Sequence, residues 1–528
     1  MYGIGSLVAK GARFFPDRMA VADEYGELTY AQLNDHVNRI AGYLLDIGLR
    51  KGSRIGFVCD NCKEFAELWL ATQKAGIVAV LLNYRSTKEE LSRDVRRSHC
   101  EALFYSPKWK HIISRRNLSG SDVRFLISFG DDTLDGHISL DYICTVSEPG
   151  EPDVIIEEQD YSTILYTSGS TGLSKGVIRT HRMIFEYAMQ MAAENEYYKT
   201  DRVCILSHSP LFHTGGLSML MKALALSGSY IGINGVDPEL ISGLIEKHRV
   251  TQLFFVPPVN IMRLAGSEIM KKRDLSSVNF IWATGGKLSL EYVLKMHELF
   301  PGVRIKTSYG GTEFCAACSI SFQMTPEEIE ADPGFLDSAG YIGQFIDVRL
   351  VDEEGRDVPP GGQGEVWVSS PFVMLGYLDA PEETAEVLTD GWYHTGDIFR
   401  MDENGLMYFV DRLSSMIKTG GENVYPNEVE SVLRRHPDVV DCAVAALPDS
   451  KWGEAVAAAI VPEKGGVELK DVIGFARQNL AGYRKPLYYL VLDELPRTAS
   501  GKIDRRALLN ADKYHFTSVK DILDEGEK

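Results

Sequence analysis

From Thr29 to Ser308, short apolar runs of strand length alternate with stretches of helical periodicity, and this alternation limits the fold more than any other feature of the chain. Thr29 and Gln32 make a capping-box pair ahead of Leu33, Val37, Ile40, Ala41 and Leu44, which repeat at helical spacing until Gly48 stops them. Arg54–Cys59 reads as a strand, Glu64–Lys74 as a helix and Ile77–Leu82 as a buried strand. Further strands are expected at Val123–Ser128, Gln252–Val256, Phe280–Ala283 and Val303–Ser308, and helices at Leu240–Lys247 and Leu290–Leu299. Strands that alternate with helices imply an α/β fold with largely parallel sheets.

Beyond Tyr341 the pattern changes. Ile346–Val351, Gly364–Val368 and the segments flanking Asn404-Gly405 read as short strands joined by tight turns, a small β subdomain over about 341–412. From Ser415 onward, helices at Glu428–Arg434 and Leu469–Asn479 and strands at Asp441–Ala446 and Ala455–Val461 predict a compact α+β domain. Asp411–Ser415 is the candidate linker. The expected division is a large N-terminal domain over 1–412 and a smaller domain over 413–528, in keeping with a chain of 528 residues that exceeds a single core.

A net charge of −19 argues against a nucleic-acid partner, which needs a basic face. No secretory signal and no apolar run of membrane-spanning length is evident, so a cytoplasmic protein is expected. Eight cysteines in this length do not make a disulfide scaffold. The Cys59/Cys62 and Cys315/Cys318 pairs have zinc-like spacing, but their apolar neighbours favour buried thiols.

The chemistry-bearing motifs lie on this frame. In Tyr166–Gly176 an apolar strand breaks into glycines and hydroxyls, Ser168, Gly169, Ser170, Thr171 and Gly172, followed by Lys175. Glycines let backbone N–H groups approach an anion, and the hydroxyls and lysine add donors, a combination suited to a polyphosphate. The spacing is not that of a Walker loop, because Lys175 lies between Ser174 and Gly176. Tyr309-Gly310-Gly311-Thr312-Glu313 places two glycines, a hydroxyl and a hard oxygen ligand after a strand. Trp392–Asp397 sets an acid beyond a turn, where it either accepts both hydroxyls of a ribose or serves as a turn residue. Pro496–Ile503 carries Lys502 on a glycine loop.

Together with Pro210–Gly216, Thr284–Gly286, Gly364–Val368, Asp411-Arg412 and Gly420–Pro426, these segments stand in the order and spacing of one superfamily. The chain resembles the adenylate-forming enzymes: acyl-CoA synthetases, aryl-CoA ligases, firefly luciferase and peptide-synthetase adenylation domains. Gly420–Pro426 and Leu81–Arg85 look most like medium- to long-chain fatty and aromatic acid–CoA ligases. The resemblance implies ATP and Mg²⁺ dependence. A carboxylic acid attacks ATP to give an acyl-adenylate and pyrophosphate, and a thiol, usually coenzyme A, then displaces AMP.

By the same resemblance, the Thr167–Lys175 loop holds the β- and γ-phosphates, Thr312 the α-phosphate and Glu313 the Mg²⁺. Gly285, Gly286 and Tyr309 flank the adenine, and Asp397 holds the ribose, assisted by Arg412. Lys502 bridges the substrate carboxylate and the α-phosphate. The small domain is expected to rotate between steps, bringing Gly420, Gly421, Glu422 and Asn423 to the thiol channel. His213 corresponds to the residue at the mouth of the acyl pocket, with a buried packing histidine as the alternative. Arg484-Lys485 either meets the phosphates of coenzyme A or is a solvated basic turn.

Three positions depart from the family pattern: Ser170 for Thr, Ser174 for Pro, and Ser414 at the hinge, where Asp or Lys is usual. Gly311 and Cys315 are small, which suggests room for more than acetate. Aromatic and medium-chain acids both stay open, as does the oligomeric state. An alternative acceptor is the phosphopantetheine of a carrier protein. A non-catalytic nucleotide-binding homologue would be expected to lack Lys502, Glu313 or Asp397, and all three are present.

Overall fold

The computed structural model describes residues 3–113, 117–130, 134, 136–167, 174–193, 202–255, 262, 264–285, 288–324, 326–331, 333–359, 361–463, 466–497, 503–510 and 512–524. By packing, the chain falls into two compact units. The first comprises Met1–Val348, Val368–His394 and Gly405–Met407, and the second Arg349–Trp367, Thr395–Asn404 and Tyr408–Lys528.

The first unit contains two large sheets. An eight-stranded sheet runs in the order Gly376–Tyr377, Lys175–Thr180, Tyr161–Thr167, Val78–Leu81, Arg54–Val58, Ala102–Tyr105, Phe125–Ser128 and Ile138–Ser139. From Tyr161–Thr167 onward its neighbours are parallel, and the first two strands add antiparallel pairings. A nine-stranded sheet has a parallel centre of Arg304–Gly311, Phe280–Ala283, Gln252–Phe255, Cys204–Ser207, Ser229–Gly232 and Met19–Ala22. Antiparallel strands close both of its ends, Cys315–Met324 followed by Tyr341–Ile342 at one and Glu27–Thr29 at the other.

The apolar runs become strands because they are buried on both faces, as Val78–Leu81 and Ala102–Tyr105 are throughout. The capping box forms as its sequence requires. Thr29 Oγ1 accepts from the Gln32 backbone at 3.3 Å and the Gln32 side chain accepts from the Thr29 backbone at 2.9 Å, starting the helix Tyr30–Asp46. The helix Lys63–Ala75 is buried from Phe65 to its end, so even its lysine must be satisfied inside. Lys74 Nζ donates to Asn34, Asn38 and Glu151 at 2.6–2.8 Å.

The strand expected at Val303–Ser308 extends to Gly311. Tyr309, Gly310 and Gly311 therefore lie within a strand rather than after it, because Cys315–Met324 folds back on them as a hairpin. The second unit holds most of the strands Asp347–Val351, Gln363–Ser369, Trp392–Met401 and Met407–Arg412, whose ends belong to the first unit, followed by an α+β assembly. There the long hairpin Val439–Asp449 with Gly453–Pro462 packs against the helices Pro426–Leu433 and Leu469–Asn479. No helix of the described residues is long and apolar enough to cross a membrane.

Candidate active site

Strands Tyr161–Thr167 and Lys175–Thr180 are antiparallel neighbours in which Thr167 faces Lys175. The loop between them thus starts and ends at one point of the sheet, and Thr167 Oγ1 donates to the Lys175 carbonyl at 3.5 Å. Ser168, Gly169, Ser170, Thr171 and Gly172 lie outside the described residues. Both ends of the loop are tied to the helix Lys88–Arg97 and the residue after it. Tyr166 Oη lies 2.7 Å from Ser98 Oγ. Ser174 Oγ donates to Asp94 Oδ2 at 2.7 Å, and Arg97 donates to the Ser174 carbonyl at 3.1 Å. The serine that departs from the family pattern is therefore held by side-chain bonds, where a proline would be held by its ring.

Thr312, Glu313 and Phe314 form the turn of the Arg304–Gly311 hairpin. Gly311 is required there, since a Cβ on it would lie 2.6 Å from the Phe314 ring. Arg179, 1% exposed within the apolar strand beyond Lys175, donates to the backbone carbonyls of Thr312 and Phe372. The Met374 amide donates to the Glu313 carbonyl at 2.7 Å. Tyr377, paired in register with Val177, donates its hydroxyl to Glu313 Oε1 at 3.0 Å. The Lys175 ammonium sits 4.7 Å from the centre of the same tyrosine ring. Arg179 and Tyr377 thereby bring Lys175, Thr312 and Glu313 together within the first unit.

Sequence reasoning did not single out Arg179 or Tyr377. The signals were an arginine in an apolar strand and an aromatic residue after Gly376. Burial and the Glu313 carboxylate push the Tyr377 hydroxyl up, so it stays a donor at neutral pH. Among the described residues no group of three or more His, Cys, Asp or Glu is placed to hold a metal alone. Glu313 still fits a magnesium ion that arrives with a nucleotide, because phosphates and water fill most of that ion's octahedron.

Nearby, Gly285 has φ +81°, a conformation that favours glycine, and Gly286 lies outside the described residues. Thr284 Oγ1 donates to the Ser308 carbonyl at 2.7 Å, joining this segment to the strand that carries Tyr309 and the exposed Gly310. The Tyr309 ring lies 5.5 Å from Phe314, and Phe314 lies 5.5 Å from Tyr393, which hydrogen-bonds Tyr377. His213 is the N-cap residue of the helix Thr214–Ala225 and is exposed, which removes the buried-packing alternative. Its ring lies 4.2 Å from Phe212.

In the second unit, Asp397 is 5% exposed, and the Arg412 guanidinium reaches its Oδ1 at 3.1 Å. Asp411 accepts from the amides of Arg412 and Asn427, both at 2.7 Å, fixing the backbone ahead of the exposed Ser414. Gly420 (φ +59°) and Gly421 (φ +89°) turn between two short strands, and a Cβ on Gly420 would lie 2.8 Å from Trp452. Glu422 and Asn423 follow, both exposed, with Asn423 donating to Glu353 at 3.3 Å. Lys502 lies outside the described residues. Its loop is closed by an antiparallel bridge between Arg497 and Ile503. Arg484 pairs with Glu428 at 3.3 Å. Cys59 and Cys62 are buried thiols 3.3 Å apart, and burial pushes both up.

Residues 8–378 match the family model of the AMP-binding enzymes, and residues 428–502 match the C-terminal domain model of AMP-binding enzymes. The chain belongs to the AMP-binding enzyme family. It is 34% identical over 504 residues to a feruloyl-CoA synthase of an Amycolatopsis species, covering 95% of this chain and 97% of the relative. It is 30% identical to the long-chain-fatty-acid–CoA ligase FadD13 of Mycobacterium tuberculosis, over 98% of this chain and all of that one. Among solved structures, the o-succinylbenzoate CoA synthetase of Bacillus subtilis, in complex with its acyl-adenylate intermediate, superposes with a TM-score of 0.81. That match has 28% identity and covers 96% of this chain and 99% of the other.

Proposed function

We propose that this AMP-binding enzyme is an ATP- and Mg²⁺-dependent ligase that joins a fatty or aromatic carboxylic acid to coenzyme A in the cytoplasm. The observation that carries the reading is the meeting of Lys175 and Glu313 on Tyr377, at the foot of a glycine–hydroxyl loop. A cation and a metal-binding carboxylate at one such loop suit a nucleotide polyphosphate. Acid–CoA ligase relatives that match over nearly the whole chain support the choice of reaction.

In the first step a carboxylate oxygen attacks the α-phosphorus of ATP, and pyrophosphate leaves. Two anions must meet, so donors are needed where negative charge builds up. Lys175 and the Thr167–Lys175 loop hold the departing phosphates, and Thr312 holds the α-phosphate. Glu313 would hold the Mg²⁺, which when bound neutralises charge on the phosphate oxygens. Asp397, kept in place by Arg412, takes the ribose hydroxyls, while Tyr309 and Gly285-Gly286 line the base. Lys502 bridges the two reacting groups. In the second step the thiol sulfur attacks the acyl carbonyl and AMP leaves. Gly420–Asn423 line the thiol's approach after the domain over 413–528 rotates about Ser414.

The test is acid-dependent exchange of labelled pyrophosphate into ATP. Exchange that requires a fatty or aromatic acid supports the reading, and ATP binding with no exchange for any acid contradicts it. Exchange without thioester formation would redirect the second step to a carrier-protein thiol.

A further inference from the structure

Lys175 and Glu313 carry opposite charges and belong to one half-buried site, yet they make no ion pair with each other among the described residues. The Tyr377 ring takes both. Its face receives the Lys175 ammonium at 4.7 Å, and its hydroxyl donates to Glu313 Oε1 at 3.0 Å. The ring is held from several sides. Its backbone pairs with Val177, its amide donates to Thr384 Oγ1 at 2.9 Å, and its hydroxyl also meets Tyr393. Gly376 just before it has φ +156°, and a Cβ there would lie 3.0 Å from Thr384 Cγ2, so the segment is fitted closely against its neighbours.

A direct lysine–glutamate pair would cancel the charges that the phosphates and the metal need, and would have to be broken at each turnover. Contacts of a cation with a ring face, and of a carboxylate with a neutral phenol, are weaker and easily exchanged for a phosphate and a metal ion.

We propose that Tyr377 is a positioning residue that keeps Lys175 and Glu313 apart and separately available, its ring serving the phosphate contact and its hydroxyl the metal contact. This rests on the roles given to Lys175 and Glu313 in the ligase reading. The two halves separate by substitution. Tyr377→Phe retains the ring and loses the hydroxyl, whereas Tyr377→Leu loses both.

The experiment is direct binding to the full-length chain, with no turnover. Mn²⁺ is titrated by electron paramagnetic resonance in the presence of α,β-methylene-ATP, and the same nucleotide is titrated calorimetrically without metal. Tyr377→Phe is expected to raise the Mn²⁺ half-saturation about tenfold, the usual cost of losing a partner that orients a metal ligand, with metal-free nucleotide affinity unchanged. Tyr377→Leu is expected to weaken both, and Leu combined with Glu313→Gln should recover the metal-free nucleotide affinity by removing the competing charge. Wild-type values for both binding steps in the Phe variant would overturn the proposal, even if the Leu variant fails to fold. Equal loss of metal-free nucleotide binding in the Phe and Leu variants would also overturn it. Failure of the wild-type chain to bind Mn²⁺ with the nucleotide would instead remove the ligase reading on which the proposal stands.

Discussion

At the scale of single residues, much of the site is set by side chains that hold other side chains. Arg179 is buried because its guanidinium serves two carbonyls, one 133 and one 193 positions away in sequence. That separation is why it was not legible beforehand, whereas Glu313, Asp397 and Lys502 announce themselves through local motifs. Lys502→Ala is expected to lower adenylation by about 10²–10³-fold, the usual loss when a transition-state donor is removed. Release of AMP from a supplied acyl-adenylate and coenzyme A should continue. Pyrophosphate exchange and thioester formation, measured on the same variant, separate the two steps.

His181 gives a residue-scale prediction about acid stability. It begins the helix after strand Lys175–Thr180 and is 3% exposed, and burial pulls its imidazole down to about 4. Asp160 opposes that shift and Lys51 reinforces it. The folded protein keeps His181 neutral, while the unfolded chain takes up a proton below about 6.5. Its contribution to stability is therefore complete above about pH 6.5 and is lost as pH falls toward 4, a loss of about 3 kcal/mol in all. Between pH 7.5 and 5, the Tm of the wild-type protein should fall further than that of His181→Gln.

At the scale of elements, strands buried on both faces were legible because their apolar runs stand out. Leu290–Leu299 and Leu469–Asn479 fall where their periodicity places them. The exception is Arg304–Gly311. Its two glycines look like a loop in sequence, but pairing with Cys315–Met324 keeps them extended, and no local signal reports a partner strand. The helix Thr214–Ala225 depends on a close approach that the sequence marks only as Gly215-Gly216. A Cβ on Gly216 would lie 2.2 Å from the Pro210 carbonyl oxygen. Gly216→Ala should destabilise the protein by at least about 2 kcal/mol, read as a fall in Tm, because rigid backbone would have to move.

The helix Lys88–Arg97 makes a second prediction at this scale. Its Asp94 and Arg97 hold Ser174 at the far end of the glycine loop. Ser174→Ala keeps the backbone contact from Arg97 but loses the bond to Asp94 and the longer one from Arg93 at 3.3 Å, so the loop should order less well around phosphate. The KM for ATP is expected to rise several-fold, about 1 kcal/mol for the shorter of the two hydrogen bonds and less for the longer, with kcat changed less. An unchanged KM for ATP would show that the Arg97 contact is sufficient.

At the scale of the whole molecule, the family and the reaction class were legible because the motifs are contiguous in sequence. The choice of acid was not, because the walls of an acyl pocket come from residues far apart in the chain, and small residues such as Gly311 set only a minimum of space. The proposed reaction is defined by its products. Mass spectrometry of a reaction containing ATP, Mg²⁺, coenzyme A and a pooled panel of fatty, aromatic and branched acids identifies them in one experiment. The expected result is an acyl-CoA drawn from the fatty or aromatic members, with AMP and pyrophosphate formed in equal amount. Formation of ADP and phosphate with the thioester, or acyl-AMP that never passes to coenzyme A, would contradict it.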